Sequence, residues 1–146
     1  MNWRAPTEID LTGSLSDAEL QAYRDAATGE NEGDPIAAQL TTVVDLVRGY
    51  CRAGSVVMGP AGTLPPTLIR PAMDFLAVDV VKRLPIDLSE DRRRARDSAL
   101  SIFRDVAAGK MRVEDYGASA TASSGDGVEL ASSRPNLTSR HQMDGL

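Results

Sequence analysis

Residues 64–85 read LPPTLIRPAMDFLAVDVVKRLP, and this stretch decides the fold. Apolar side chains occupy most of its positions, and strand signals are nearly absent from the whole chain. A helix that is apolar on most of its sides is surrounded by other elements, so we predict a central helix over residues 67–84. Pro71 falls in or near its first turn, where a missing amide is tolerated, and Pro85 ends it.

Three further helices are predicted from their start and stop signals. The first, residues 16–27, opens with a capping box in which Ser16 and Glu19 satisfy each other's backbone amides. The second covers residues 34–54, and the fourth covers residues 89–109. The apolar stripes of these last two helices comprise Ile36, Leu40, Val43, Val47 and either Tyr50 or Cys51, and Ala95, Ala99, Ile102, Phe103 and Val106.

These features predict an all-α fold with two parts. Residues 1–117 form a four-helix bundle domain with a central apolar third helix, and residues 118–146 form an extended C-terminal arm. Residues 110–116 carry three apolar side chains, which we expect to fold back on the bundle. The loop at 55–66 contains several prolines and glycines but is less polar than a plain linker.

Composition sets the outer bounds on function. The chain has 146 residues, enough for one domain. Apolar residues make up 42% of the chain and aromatic residues only 4%, so we expect a mainly aliphatic core. The net charge of −5 argues against broad attraction to a polyanion such as DNA. Cys51 is the single cysteine, which excludes an internal disulfide and favours a small buried hydrophobe. We expect no membrane span and no signal peptide, hence an intracellular protein where it is made.

Catalysis is not expected from this sequence. The single histidine, His141, lies in the arm, where no scaffold holds it against a nucleophile, and no catalytic or phosphate-binding motif occurs. We therefore predict no catalytic, cofactor-binding or metal-binding residues, and no enzyme. Asp74 and Asp79 point about 140° apart on a helix, so they do not pair with each other. We expect them to pair with Arg48, Arg52 or an arginine of the fourth helix.

A run of arginines opens the fourth predicted helix. Its basic residues are Arg92, Arg93, Arg94 and Arg96, and its flanking acids are Glu90, Asp91 and Asp97. The mixture favours a solvated face with local salt bridges. Docking to an acidic neighbouring subunit is the second interpretation and direct DNA contact the third.

The arm combines a small polar segment with regularly spaced anchors. Residues 118–126 read ASATASSGD and contain nothing to bury. Beyond them, arginines alternate with large apolar residues every three or four positions: Arg134, Leu137, Arg140, Met143 and Leu146. This spacing is typical of a short binding segment, although an ordinary frayed terminus is the alternative interpretation.

The order of these features resembles the small helical head–tail connector (adaptor or head-completion) proteins of tailed phages, including the Mu-like group. The resemblance covers roughly residues 8–116. It rests on the segments that read SDAEL at 16–20, LPPTLIRPAMDFLA at 64–77, LP at 84–85, DRRRAR at 91–96, and the stretch at 102–112, together with the Val-rich second helix.

The resemblance implies a ring, commonly a dodecamer, beneath the portal protein in the virion, after assembly in the host cytoplasm. Such a ring extends the DNA channel without binding DNA specifically and presents a surface to a downstream stopper or tail protein. By this likeness the arm anchors dock on portal, and a neighbouring subunit or the stopper contacts Val56, Val57, Met58, Arg92, Arg93 and Arg96.

Two other classes stay open at this point. One is a small cellular scaffolding or regulatory bundle that binds one protein partner through the same C-terminal tail. The other is an enzyme subunit whose active residues lie on another chain.

Overall fold

The computed structural model describes residues 2–27 and 33–117, and the regular secondary structure of these residues is helical. The helices are α1 (Glu8–Leu11), α2 (Asp17–Ala26), α3 (Pro35–Ala53), α4 (Pro66–Val81) and α5 (Glu90–Ala107). In the described ranges, the only extended pairing is a single antiparallel bridge between Arg4 and Leu64. The all-α class is confirmed, and α2 to α5 match the four predicted helices within a few residues.

The predicted start signals act as N-caps. Ser16 Oγ accepts from the amide of Glu19 at 3.2 Å, and the Glu19 carboxylate accepts from the amide of Ser16 at 3.0 Å. Asp34 accepts from the amide of Ile36 at 3.0 Å, and Ser89 accepts from the amide three residues on at 3.2 Å. Each bond satisfies an amide that has no partner inside its helix, which fixes where the helix begins.

Helix α4 is the centre of the molecule, as its apolar sequence predicts. It contacts α1, α2, α3 and α5, and ten of its side chains are buried. Pro71 lies inside α4, beyond the first turn, and the helix continues through it. Three of the six aromatic residues meet beside α4, where the Phe103 ring packs against Phe75 at 6.0 Å and against Tyr50 at 5.7 Å.

The N-terminal part of the body contains a short helix, α1, that was not predicted from the sequence. Helix α1 follows a capping box formed by Thr7 and Asp10, and Leu11 at its end is fully buried. Trp3 is also buried, and its neighbour Arg4 exchanges backbone hydrogen bonds with Leu64 at 2.9 and 3.1 Å.

The expected partners of Asp74 were wrong. Its carboxylate pairs with Arg70, one turn earlier on α4, at 3.2 Å, and accepts from Ser14 Oγ at 2.7 Å. Because α1 was not predicted, the hydroxyl that follows it could not be foreseen as a partner. Asp79 forms no ion pair with any residue in the described ranges.

The end of α3 comes at Gly54, as predicted, but for a different reason. The left-handed residue of the cap is Ser55, with φ 62°. The amide of Ser55 bonds to the carbonyl of Arg52 at 3.0 Å and that of Val56 to Cys51 at 3.1 Å, the Schellman pattern. Glycine is needed at 54 because a Cβ there would lie 2.1 Å from the carbonyl oxygen of Val106 on α5.

Candidate functional site

Arg48 organises the loop that follows α3. It is 7% exposed, and its guanidinium donates to the carbonyl oxygens of Gly59, Pro60 and Thr63 at 3.0, 2.9 and 2.8 Å. The same group lies over the Trp3 ring at 5.7 Å. A buried charge is stable only when it is well hydrogen-bonded, and these three carbonyls provide that. The conformation of the loop is therefore set by one side chain of α3.

The segment after α5 folds back onto this loop, as the sequence predicts. The amide of Tyr116 donates to the carbonyl of Val57 at 3.0 Å. In return, the amide of Val57 donates to the Asp115 carboxylate at 2.8 Å. The indole of Trp3 donates to the carbonyl of Glu114 at 2.7 Å. The last described residues are thus held at a defined place beside the loop.

We call the surface formed by residues 55–60 and 111–117 the loop end. Of its three predicted contact residues, Val57 is 55% exposed, whereas Val56 and Met58 are half-buried and pack against the core. Tyr116, which is 40% exposed, lies beside Val57. The loop end therefore presents a small apolar surface at the place where the described chain stops.

We call the surface formed by Arg92, Arg93, Arg94 and Arg96 the arginine end. Arg92 is half-buried, and it bonds to the Glu19 carboxylate at 2.7 Å and to a backbone carbonyl at 3.3 Å. Arg93 and Arg94 are exposed and face Glu90 at 3.8 and 3.6 Å. The predicted local salt bridges are present.

Arg96 differs from the other arginines of this end. Its guanidinium lies over the Phe75 ring at 4.6 Å. Its buried Nε has no hydrogen-bond partner among the described residues.

The loop end and the arginine end lie at opposite ends of α5. Residues 54–56, 109, 111–113 and 115 line one cavity of about 370 Å³ just beyond the C-terminus of α5. Arg93 lies in the first turn of the helix, about 20 Å away at 1.5 Å per residue. The two sets of predicted contact residues therefore belong to two separate surfaces.

The third set of predicted contact residues, the arm anchors, lies outside the described residues. It comprises Arg134, Leu137, Arg140, Met143 and Leu146, and His141 lies among them.

Ion pairs and burial shift several titration equilibria. The Arg4 guanidinium, which bonds to Asp10 at 2.7 Å, lowers the pKa of that carboxyl to about 2. Bonding to Arg92 lowers the pKa of Glu19. Burial raises the pKa of the Cys51 thiol to about 11, and the charge of Arg48 opposes that rise.

These groups are engaged in structural contacts. Across residues 2–27 and 33–117, no group of three or more His, Cys, Asp or Glu side chains is placed to hold a metal ion. In the same ranges, no helix is long and apolar enough to cross a membrane.

Comparisons of this chain with protein-family models, with curated proteins and with solved structures find no match.

Sequence reasoning missed Trp3 and the role of Arg48 in shaping the loop end. A signal for Arg48 was available, because it lies four residues after Val44 and three before Cys51, on the apolar stripe of α3. A charged residue on a buried stripe indicates a specific set of partners.

Proposed function

We propose that the chain is a structural head–tail connector, or adaptor, of a tailed phage. In this proposal residues 1–117 are a four-helix bundle body, and copies of it form a ring, a dodecamer by the resemblance, beneath the portal. Residues 118–146 are an extended arm that attaches the ring to portal. The ring lies at the capsid–tail junction of the virion, after assembly in the host cytoplasm.

One observation carries the proposal: the two contact surfaces lie at opposite ends of a self-contained helical body. The bonds between Val57, Asp115 and Tyr116 hold the root of the arm at the loop end. The arginine end lies about 20 Å away along α5. A component inserted between two neighbours needs separate surfaces of this kind. We assign the arm, which follows the loop end, to portal, and the contact residues of the loop end and of the arginine end to an adjoining subunit or to the downstream stopper.

The energetics of a short arm favour a ring of arms over a single one. A segment that buries about 400 Å² gains about 10 kcal/mol gross at roughly 25 cal/mol per Å². Ordering the chain offsets most of that gain, so one arm alone binds weakly. Many arms on one ring act at high effective concentration, which makes the attachment durable. The net charge of −5 suits a channel wall along which DNA passes without specific binding.

Electron microscopy of the purified chain mixed with a portal protein from the same genome tests this function. We expect annular particles that carry the chain at the narrow end of portal. A second sample, truncated after residue 117, retains all the described contacts, so its helical circular dichroism and its melting temperature should match those of the full chain. Its attachment to portal should be lost.

Three outcomes of this experiment separate the alternatives. A truncated chain that still attaches to portal contradicts the role of the arm. A truncated chain that unfolds contradicts the division into body and arm. A full-length chain that binds a single cellular protein one-to-one through its tail, and never forms rings, favours the scaffolding or regulatory bundle instead.

A further inference from the structure

A surface cleft of about 250 Å³ lies between the end of α4 and the first half of α5. We call it the arginine cleft. Its lining residues are Val78, Lys82, Leu88, Arg93, Arg96 and Asp97. Three of these side chains are cations and one is a carboxylate, so the cleft carries a surplus of positive charge on a chain whose net charge is negative.

Carboxylates of the body compensate the arginines of this end only in part. Arg92 pairs closely with Glu19, and Glu90 faces both Arg93 and Arg94. Arg96 takes part in no ion pair with the residues that the structure describes, and the same holds for the cleft residue Lys82. The surplus of positive charge therefore comes mainly from Arg96 and Lys82, and an acidic group from outside the body can pair with them.

Arg96 is also held in place. Its guanidinium lies over the Phe75 ring at 4.6 Å, which fixes its plane by a cation–π contact. Its Nε–H is buried and has no acceptor among the residues that the structure describes. A buried donor without an acceptor is unfavourable, so an acceptor group that reaches this side chain is favoured beyond simple charge attraction.

The walls of the cleft indicate which acceptor fits. Val78 and Leu88 line it, and they offer apolar surface next to the charges. A carboxylate on a side chain beside a large apolar residue satisfies both. A nucleic acid is disfavoured because Asp97 lies in the cleft and Glu90 faces the cleft residue Arg93, so a run of phosphates would meet these carboxylates.

We infer that the arginine cleft binds an acidic peptide segment, with a glutamate or aspartate next to a leucine-like residue, on the protein that adjoins this end of the body. The identity of that protein as a virion neighbour rests on the proposed function. The preference of the cleft for an acidic peptide is argued from its lining residues and does not depend on the proposed function.

The test follows the Nε–Hε NMR signals of the arginines in the free, full-length chain. The probe is the tetrapeptide acetyl-LEEL-amide, and its neutral counterpart acetyl-LQQL-amide is the matched control. We expect acetyl-LEEL-amide to shift the signals of Arg93 and Arg96 in a saturable way, and acetyl-LQQL-amide to leave them in place. A 12-base-pair DNA duplex serves as the phosphate-bearing competitor.

Substitutions locate the binding. Arg96→Gln should weaken binding of acetyl-LEEL-amide about tenfold, the loss of one charge-assisted hydrogen-bonding group. Arg93→Gln should weaken it too, and because Arg93 is exposed this variant tests the cleft even if Arg96→Gln fails to fold. Arg94→Gln removes the same charge from an arginine outside the cleft, so it should change the affinity less than twofold.

Several results would overturn the inference: equal shifts with the neutral peptide, an equal loss in the Arg94→Gln variant, or tighter binding of the DNA duplex through Arg96. The outcome is separate from the portal experiment. If rings attach to portal but the peptide does not bind, the connector function is supported and the cleft proposal is contradicted. If the peptide binds but no ring forms, the cleft proposal is supported and the connector function is contradicted.

Discussion

Gly54→Ala adds one methyl group where the end of α3 meets the backbone of α5. An ideal Cβ at this position lies 2.1 Å from the carbonyl oxygen of Val106 and 3.0 Å from its carbonyl carbon. Ordinary contact begins at about 3.4 Å, so the two backbones must separate by about 1.3 Å. A backbone carbonyl cannot change rotamer to make room, so the strain falls on the packing between the two helices.

Overpacking determines how much free energy of unfolding the variant loses. An inserted methyl group in a well-packed core destabilises by about 1–3 kcal/mol, and a clash with backbone lies at the upper end of that range. Alanine recovers about 0.4–1 kcal/mol by restricting the unfolded chain, because φ of −88° at residue 54 suits it. We therefore expect Gly54→Ala to lower the free energy of unfolding by about 2 kcal/mol.

Gly49→Ala is the matched control on the same helix. A Cβ at Gly49 meets no atom within 4 Å, so alanine there should raise the free energy of unfolding by about 0.5–1 kcal/mol through helix propensity. The two Gly→Ala variants should thus differ by about 3 kcal/mol, or about 12 °C in melting temperature.

Urea unfolding measures this difference. Circular dichroism reports the helices, and the fluorescence of Trp3, the single tryptophan, reports the junction of the N-terminal segment with the loop end. Equal stabilities of the two variants would show that α3 and α5 do not approach as closely as the structure has them. The packing that positions the loop end would then be wrong.

Four further predictions concern single side chains. Ser55→Gly should stabilise by about 0.5–1 kcal/mol in urea unfolding, because φ of 62° is strained for serine, and an unchanged midpoint would contradict that cap. Phe75→Ala should destabilise by about 3–5 kcal/mol in the same assay, and parent-like unfolding would mean that α4 is not central. Asp10 has a folded pKa of about 2 against 3.8, so its pairing with Arg4 stabilises the fold above pH 4 and this contribution is lost as the pH falls towards 2; Asp10→Asn should flatten stability over that window in acid titrations. Cys51 should react with an aromatic disulfide reagent at pH 8 at least about 100-fold more slowly in the native than in the unfolded chain, and rapid native labelling would contradict its burial.

Much of the fold could be predicted because its signals are local. The caps at Ser16, Asp34 and Ser89 each depend on residues two or three positions away, and all three form as expected. The central place of α4 follows from apolar content alone. Helix α1 has a cap as well, but its four residues are too few to show a helical period, so nothing in the pattern separated it from a loop.

The candidate surfaces were harder to predict because their geometry depends on distant residues. Glu19, 73 positions before Arg92, neutralises that arginine, whereas the buried Nε of Arg96 has no hydrogen-bond partner among the described residues. The carbonyls that hold Arg48 belong to the backbone of a loop, which a pattern of side chains does not reveal. The fold therefore divides this run of similar arginines into those that pair within the body, such as Arg92, and Arg96, which forms no ion pair with the described residues.

The contacts at the loop end determine what gives way first when a pulling force is applied to the chain beyond residue 117. Four hydrogen bonds hold residues 114–116 in place, with donors on Val57, Tyr116, Trp3 and Thr67. At about 1 kcal/mol net for each bond, this attachment is worth about 4 kcal/mol. A folded domain is worth about 5–15 kcal/mol, so a pull on the arm detaches its root before it unfolds the helices. In the proposed connector ring, release of residues 114–116 would lengthen the arm while the packing between α3, α4 and α5 stays intact.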